Sequence, residues 1–158
     1  MSELRIGLGV DAHAFGDGVP LVLGGVTIEH PRGLAGHSDG DVIAHALTDA
    51  LLGAAGLGDI GSLFPSGDER WEGADSLDLL RDAYAQVREA GFELVNADCI
   101  LVGEEPRIAP HRAEMRRRLA GALGVEPDRV NVRATTTDKL GFTGRGEGLA
   151  AEAVALLR

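Results

Sequence analysis

Asp11 and His13 stand two residues apart in LRIGLGVDAH, and His45 lies further along in SDGDVIAHALTDALLG. One carboxylate and two imidazoles form a donor set that suits Zn²⁺ or a similar borderline divalent ion. Three ligands leave a fourth position open, and an open position serves Lewis-acid chemistry rather than structure. Spacing alone also admits a plainer reading: Asp11 ends a strand, His13 caps a turn and His45 faces water. The metal reading requires the helix bearing His45 to pack on the strand bearing the other two. Asp49, one turn beyond His45, either backs such a site or faces solvent.

Two further stretches carry polar chemistry. His37 and Ser38 stand at a helix entrance, where free N–H groups and the helix dipole favour anions; Ser38 also reads as a plain cap. ATTTDKLGFTGRGEG, residues 134–148, joins hydroxyls, a lysine, an arginine and four glycines. It can wrap phosphate through backbone donors or simply turn, and it is not a GxxxxGK[ST] loop. No GxSxG, HExxH or GxGxxG fingerprint occurs in a strand–helix context.

The elements that must position these residues follow from periodicity. Leu4, Ile6, Leu8 and Val10 alternate, which predicts a strand over 4–10, and Gly7 and Gly9 predict close backbone approach on its other face. VPLVLGGVTIEH reads as a hairpin around Gly24-Gly25, and PRGLAGHSDG as loop. Ser38 and Asp41 have capping-box spacing before a helix from about Asp39 to Ala54 that buries Ile43, Leu47, Ala50, Leu51 and Ala54. Residues 56–73 read as a long Gly-rich loop, often functional at that length. A second helix starts at Asp75 or Ser76, buries Leu77, Leu80, Tyr84 and Val87, and stops at Gly91. A strand over 92–102, a helix opened by Pro110 and closed near Gly124, and a strand over 129–135 make a right-handed parallel crossover. DKLGFTGRGEG, residues 138–148, reads as a second Gly-rich loop, and residues 147–157 as a C-terminal helix. Interspersed strands and helices predict one layered sheet-plus-helix domain over 1–158.

Bulk properties exclude several classes. A net charge of −10 argues against a nucleic-acid or anionic-membrane surface. The RRR run at 116–118 lies mid-helix and reads as solvated surface. No apolar run is long enough for a membrane span and no signal peptide opens the chain, so a cytoplasmic protein is expected. The single cysteine, Cys99, reads as a buried structural thiol.

Taken together, DAHAF at 11–15, HSDGDVIAHALTDALLGAAGLGDIGSLFP at 37–65, GADS at 73–76 and ATTTDKLGFTGRGEG at 134–148 resemble one family, the 2-C-methyl-D-erythritol 2,4-cyclodiphosphate synthases. The resemblance spans nearly the whole chain. It implies an α+β, ferredoxin-like two-layer sandwich, a mixed sheet with helices on one face plus a small β-hairpin, assembled as a homotrimer with active sites between subunits. It implies a phosphorus–oxygen lyase of non-mevalonate isoprenoid biosynthesis. The substrate would be 4-diphosphocytidyl-2-C-methyl-D-erythritol 2-phosphate; the products would be the cyclic diphosphate and CMP. Two rival readings keep the same pockets: a metal-dependent phosphohydrolase and a non-catalytic sensor of cytidine nucleotides.

By the same resemblance Asp11, His13 and His45 match zinc ligands, with Asp11 and His13 also facing substrate. His37 and Ser38 match a phosphate-contacting pair, and His37 and Thr136 the catalytic positions. Asp59, Ile60 and Gly61 match a ribose and diphosphocytidyl contact, and Phe64, Pro65, Ser66, Gly67 and Asp68 a loop over the methylerythritol. Gly103, Glu104, Glu105, Pro106, Arg107, Ile108 and Ala109 match a cytosine pocket belonging to the adjacent subunit. Thr135, Thr136 and Thr137 match nucleotide and phosphate contacts. Asp138 stands where a glutamate usually holds a second ion, Mg²⁺ or Mn²⁺; being one methylene shorter, it points to a water-mediated hold. Phe142 and Arg145 match positions at the substrate site or at a central cavity able to take an isoprenoid diphosphate. Arg107 replaces a common lysine, and Ser66 a frequent aspartate.

Overall fold

The computed structural model describes residues 3–65 and 67–158. Strand β1 (Arg5–Asp17) is longer than its alternating apolar run and carries Asp11 and His13 within it. Strands β2 (Leu21–Leu23) and β3 (Val26–Ile28) form the expected hairpin. Its turn residues Gly24 and Gly25 have φ of +59° and +76°, the left-handed pair that a tight hairpin turn needs. The stretch expected as loop includes a short strand, β4 (Arg32–Leu34), paired with the end of β1.

Helix α1 (Val42–Ala55) buries the five residues its spacing picks out. Its N-cap is Asp41, not Ser38, and the helix starts later than expected. The buried Asp41 carboxylate accepts from Ala44 N at 3.0 Å, Gly24 N at 2.9 Å and Gly25 N at 2.7 Å. One side chain thus ties the helix entrance to the hairpin turn. Burial pushes this carboxyl up to about 6, with its three backbone donors pulling the other way.

The 56–73 segment is not structureless. It holds a short helix, α2 (Ile60–Leu63), and a 3₁₀ turn at Glu69–Trp71. Helix α3 (Ser76–Glu89) is capped by Asp75 and buries Leu80, Tyr84 and Val87, with Leu77 at the edge of the core. Strand β5 (Leu94–Val102), a 3₁₀ turn containing Pro110, helix α4 (Arg112–Leu123) and strand β6 (Val130–Thr135) follow, and β5 and β6 pair in parallel as expected. Gly124, φ +69°, ends α4. Arg117 and Arg118 are exposed and paired with Glu114.

The end of the chain corrects the sequence reading. After a short helix, α5 (Gly141–Gly144), residues expected to form a C-terminal helix form strand β7 (Gly148–Leu157). It lies between β1 and β5 and pairs antiparallel with both. Alanine-rich GLAAEAVALL has helix propensity, but the sheet interior overrides it. Leu149, Ala151, Ala153, Ala155 and Leu157 alternate onto the covered face, where small side chains let α1 come close.

The main sheet therefore runs β4-β1-β7-β5-β6. Helices cover one face, over Ala97, Cys99, Leu101, Val130 and Val132. The molecule is a mixed α+β layered fold, as expected. Its element order, β-β-α-α-β-α-β-β once the hairpin, the 3₁₀ turns and the four-residue helices are set aside, departs from the β-α-β-β-α-β of a ferredoxin-like chain. Cys99 is buried, and burial pushes its thiol up to about 12, so it stays an unreactive packing residue.

The expected close approach at β1 is present. A Cβ on Gly7 would lie 2.0 Å from Ala50 O, and one on Gly9 1.8 Å from Ala46 O. Backbone meets backbone there, and the residue before Ala46 is His45. The apolar residues of β1 point the other way: Ile6 is 74% exposed and Leu8 63%. The glycine face, not the aliphatic face, packs on the helix.

Candidate metal centre and a second cleft

Alternation along β1 puts Asp11 and His13 on the same face as Gly7 and Gly9, toward α1. The contact at Gly9 sets α1 so that His45 reaches them. Asp11 Oδ2 lies 3.0 Å from His45 Nδ1 and 3.1 Å from His13 Nε2. All three ligand atoms fall within 4.8 Å of one another. Atoms sharing a tetrahedral ion at ordinary Zn–N and Zn–O lengths sit ~3.3 Å apart. The two rings meet edge to face, with centroids 5.8 Å apart.

The electrostatics fit a cation. His13 Nε2 is buried and, although close to Asp11, is out of line for a hydrogen bond; among the described residues it has no hydrogen-bond partner. A buried ring nitrogen left so is costly unless something coordinates it. Burial pushes the Asp11 carboxyl up, but the two imidazoles outweigh it and hold the group down at about 2. Burial pulls His45 down, and Asp11 beside it, with Asp41 and Asp39, leaves it raised. Two nitrogens and a carboxylate oxygen face one point, and Asp11, His13 and His45 could bind a metal ion there.

The cleft around this cluster measures about 400 Å³. His37, Ser38, Ile60, Gly61, Phe64, Pro65 and Gly67 line it, bringing together most of the residues expected on the phosphate and methylerythritol side. Asp59 caps α2, its Oδ1 accepting from Ser62 N at 2.8 Å, and Asp68 caps the 3₁₀ turn and pairs with Arg70. Ser66 lies outside the described residues. Asp49 backs the site: its Oδ1 accepts from Ile60 N at 2.7 Å and so anchors the 59–61 segment. Asp41, not Ser38, caps the α1 entrance; Ser38 is turned to His45 Nε2, 2.9 Å away, and with His37 lines the cleft instead.

Sequence reasoning missed the other partner of that nitrogen. Ser76 Oγ lies 2.8 Å from His45 Nε2, and both the backbone N and the hydroxyl of Ser76 donate to Asp39. GADS ends on Ser76, so the signal was present, but nothing local ties residue 76 to residue 39.

The remaining expected residues gather elsewhere. Gly103 N donates to Thr135 O at 3.0 Å, and Glu104 Oε1 accepts from Lys139 N at 2.9 Å, so the 103–109 and 135–139 segments lie side by side. Glu104, Glu105 and Arg145 line a second cleft of about 480 Å³ with Phe15, His30 and Lys139. Pro106 follows a cis peptide bond. Arg107 and Ala109 are exposed, whereas Ile108 is buried in the core and presents no side chain to a ligand. Thr135, Thr136 and Asp138 are exposed. Thr137 is turned inward, its hydroxyl donating to Leu140 O. Asp138 and Lys139 have φ of +53° and +67°, a conformation uncommon outside glycine and typical of functional turns. Asp138 has no acidic or imidazole partner grouped with it for a metal among the described residues. Phe142 is partly exposed, and Arg145 pairs with Glu147.

The profile of the YgbB family matches residues 4–158. The chain belongs to the YgbB family. A relative from Rubrobacter xylanophilus, a 2-C-methyl-D-erythritol 2,4-cyclodiphosphate synthase, is 61% identical over 99% of this chain and 96% of its own length. The bifunctional IspDF of Campylobacter jejuni superposes with a TM-score of 0.94 at 49% identity; it covers 98% of this chain, which spans 42% of that longer one. A CDP-bound structure of a 2C-methyl-D-erythritol-2,4-cyclodiphosphate synthase gives a TM-score of 0.89 at 42% identity, over 98% of this chain and all of that one.

Proposed function

We propose that this YgbB-family protein converts 4-diphosphocytidyl-2-C-methyl-D-erythritol 2-phosphate to 2-C-methyl-D-erythritol 2,4-cyclodiphosphate and CMP, as a phosphorus–oxygen lyase of isoprenoid precursor synthesis. The convergence of Asp11, His13 and His45 in a cleft, in a chain 61% identical to a synthase of that name, carries the reading.

The nucleophile is an oxygen of the substrate's own 2-phosphate, which is already anionic. It attacks the β-phosphorus, the bond from that phosphorus to the bridging oxygen breaks, and CMP leaves with the electron pair. No general base is needed, so the Ser38 and Ser76 hydroxyls at His45 Nε2 are not called on to act as nucleophiles. What the chain supplies is positioning. His37 and Ser38 hold the 2-phosphate side, the 59–61 segment anchored by Asp49 holds the diphosphate, and Phe64, Pro65 and Gly67 wall off the methylerythritol. Asp11, His13 and His45 would hold zinc, and Asp138 a second ion, Mg²⁺ or Mn²⁺. Bound divalent ions supply charge neutralisation and Lewis-acid polarisation of the phosphates.

The nucleotide half of the site comes from another copy of the chain. In one register row Ala12 faces Ala150, Ala150 faces Val102 and Val102 faces Thr135. Three strand spacings separate the ends of that row by roughly 14 Å. Thr135 also lies on the open face of the sheet, whereas Asp11 and His13 point to the helices. A single short diphosphate does not bridge both within one chain. The open face bears Leu4, Ile6, Leu8, Val10 and Val154, all exposed, an apolar stripe that supports burial against further copies in a homotrimer. Phe142 and Arg145 would then sit toward the shared centre, where an isoprenoid diphosphate has room to bind. No helix of the described residues is long and apolar enough to cross a membrane.

Incubating purified protein with the substrate and following CMP and inorganic phosphate tests the assignment. CMP without phosphate, abolished by a chelator and restored by zinc, is the expected result. Phosphate release would indicate a phosphohydrolase, and binding without turnover a sensor.

A further inference from the structure

His45 has two ring nitrogens, and its use as a ligand depends on which one carries the proton. Nδ1 faces Asp11 Oδ2 at 3.0 Å, on the side shared with His13. Nε2 faces two hydroxyls, Ser38 Oγ at 2.9 Å and Ser76 Oγ at 2.8 Å. A lone hydroxyl is neutral in this choice, because it donates or accepts with equal ease. Ser76 is not free to choose. Its hydroxyl contacts Asp39 Oδ1 closely, and its backbone N donates to Asp39 Oδ2 at 2.9 Å. A carboxylate accepts and does not donate, so the single hydroxyl proton of Ser76 is spent on Asp39. Only lone pairs of Ser76 remain for His45, and Nε2 must be the donor.

We infer that Asp39 and Ser76 are positioning residues that fix His45 with its proton on Nε2 and the Nδ1 lone pair aimed at the point shared with Asp11 and His13. Ser76 is fully buried at the start of α3, and Asp39 is held in turn by Asp41 N at 3.1 Å. The relay therefore hangs between two fixed helix ends, with α3 setting the donor state of a side chain on α1. It is an outer partner of the kind that orients metal-bound imidazoles. The inference rests on the metal reading of Asp11, His13 and His45.

The test is zinc affinity of the full chain, measured by competition with a chromophoric chelator, on the wild type, His45→Ala, Asp39→Asn, Ser76→Ala and Ser76→Thr. Asp39→Asn lets an amide N–H donate to Ser76, which frees the hydroxyl to donate to Nε2 and favours the wrong tautomer. Ser76→Ala removes the obligate acceptor but leaves Asp39 intact, and serves if Asp39→Asn fails to fold. Both variants should bind zinc about 10–100-fold more weakly, and Ser76→Thr, which keeps the hydroxyl, should stay within about threefold of wild type. In the cobalt-loaded protein the shifted Nε2–H proton of His45 should exchange with water faster in Ser76→Ala than in wild type. Wild-type affinity in both Asp39→Asn and Ser76→Ala, with binding lost in His45→Ala, would overturn the relay and leave the metal site standing. Absence of zinc binding that depends on His45 in the wild type would overturn the metal reading itself.

Discussion

The two clefts of this chain are built in opposite ways. Around Asp11, His13 and His45 nearly every polar atom is spoken for: Asp49 anchors Ile60, Ser38 and Ser76 meet His45, and Asp39 meets Ser76. Around Glu104, Glu105, Asp138 and Lys139 the groups are mostly exposed, and the turn that carries Asp138 takes an unfavourable backbone conformation. The first cleft brings its three candidate metal ligands together within one chain. The second, in the proposed reading, is a half-site completed by another copy of the chain. The proposed function thus assigns preorganisation to one end of a sheet row and completion by assembly to the other.

The sharpest way to break the first half of that contrast is His45→Ala. Several kcal/mol of charge stabilisation should be lost, giving near-complete loss of CMP release while circular dichroism shows the fold kept. Normal turnover in a folded, zinc-free variant would end the account of the centre. Gly9→Ala should come next. Its new Cβ would lie 1.8 Å from Ala46 O, so α1 must shift and carry His45 with it. A misplacement of this kind should lower activity by about 100-fold, and should weaken zinc binding without touching any ligand.

The second half of the contrast is sharpened by mixing. His45→Ala and Thr136→Ala are each expected to be inactive alone. Refolded together, they should recover about a quarter of wild-type activity, because a site needs an intact first cleft from one chain and an intact second from its neighbour. A mixture as dead as its parts would place the whole site in one chain. Asp138→Glu should have a smaller effect, within about threefold in kcat, with the Mg²⁺ or Mn²⁺ requirement strengthened as the longer carboxylate reaches the ion directly. An unchanged metal requirement would remove Asp138 from ion binding.

The smallest effect expected is on stability of the metal-free protein. His45 has a raised pKa in the fold, so its contribution is present in full below its ordinary 6.5 and is lost as pH rises through the raised value. Asp11, held at about 2, contributes at every pH above its ordinary range and does not change in this window. Asp41, raised to about 6, has largely finished titrating before it. Chelator-treated protein should therefore melt a few degrees lower at pH 8.5 than at pH 6.5 (~2–4 °C), and zinc-loaded protein should not follow. Equal melting of both forms across this range would contradict the reading of the Asp11–His45 pair.

The two clefts also differ in how far they could be read from sequence. Period-2 spacing placed Asp11 and His13 on one face, and Gly7 and Gly9 announced a close backbone approach; helical spacing put His45 away from the apolar stripe, and only the family resemblance joined it to the other two. These signals are local and steric. The Asp39–Ser76 relay was not legible, because it depends on where α3 begins relative to the turn before α1, a tertiary fact. Strand β7 was misread for a related reason. Its alanines suit a helix when taken alone, and only the demand of α1 for a thin sheet surface makes them a strand. The apolar run of β1 was read correctly as a strand, but alternation gives two faces without saying which one meets the core. Here the larger side chains face outward, on the face the proposal assigns to further copies of the chain.

X-ray diffraction from zinc-loaded crystals, collected on both sides of the zinc absorption edge, tests the central claim most directly. The account predicts one strong anomalous peak per chain, at bonding distance from Asp11 Oδ2, His13 Nε2 and His45 Nδ1. A peak bound through His45 Nε2, or none within reach of all three side chains in well-ordered crystals, would contradict it.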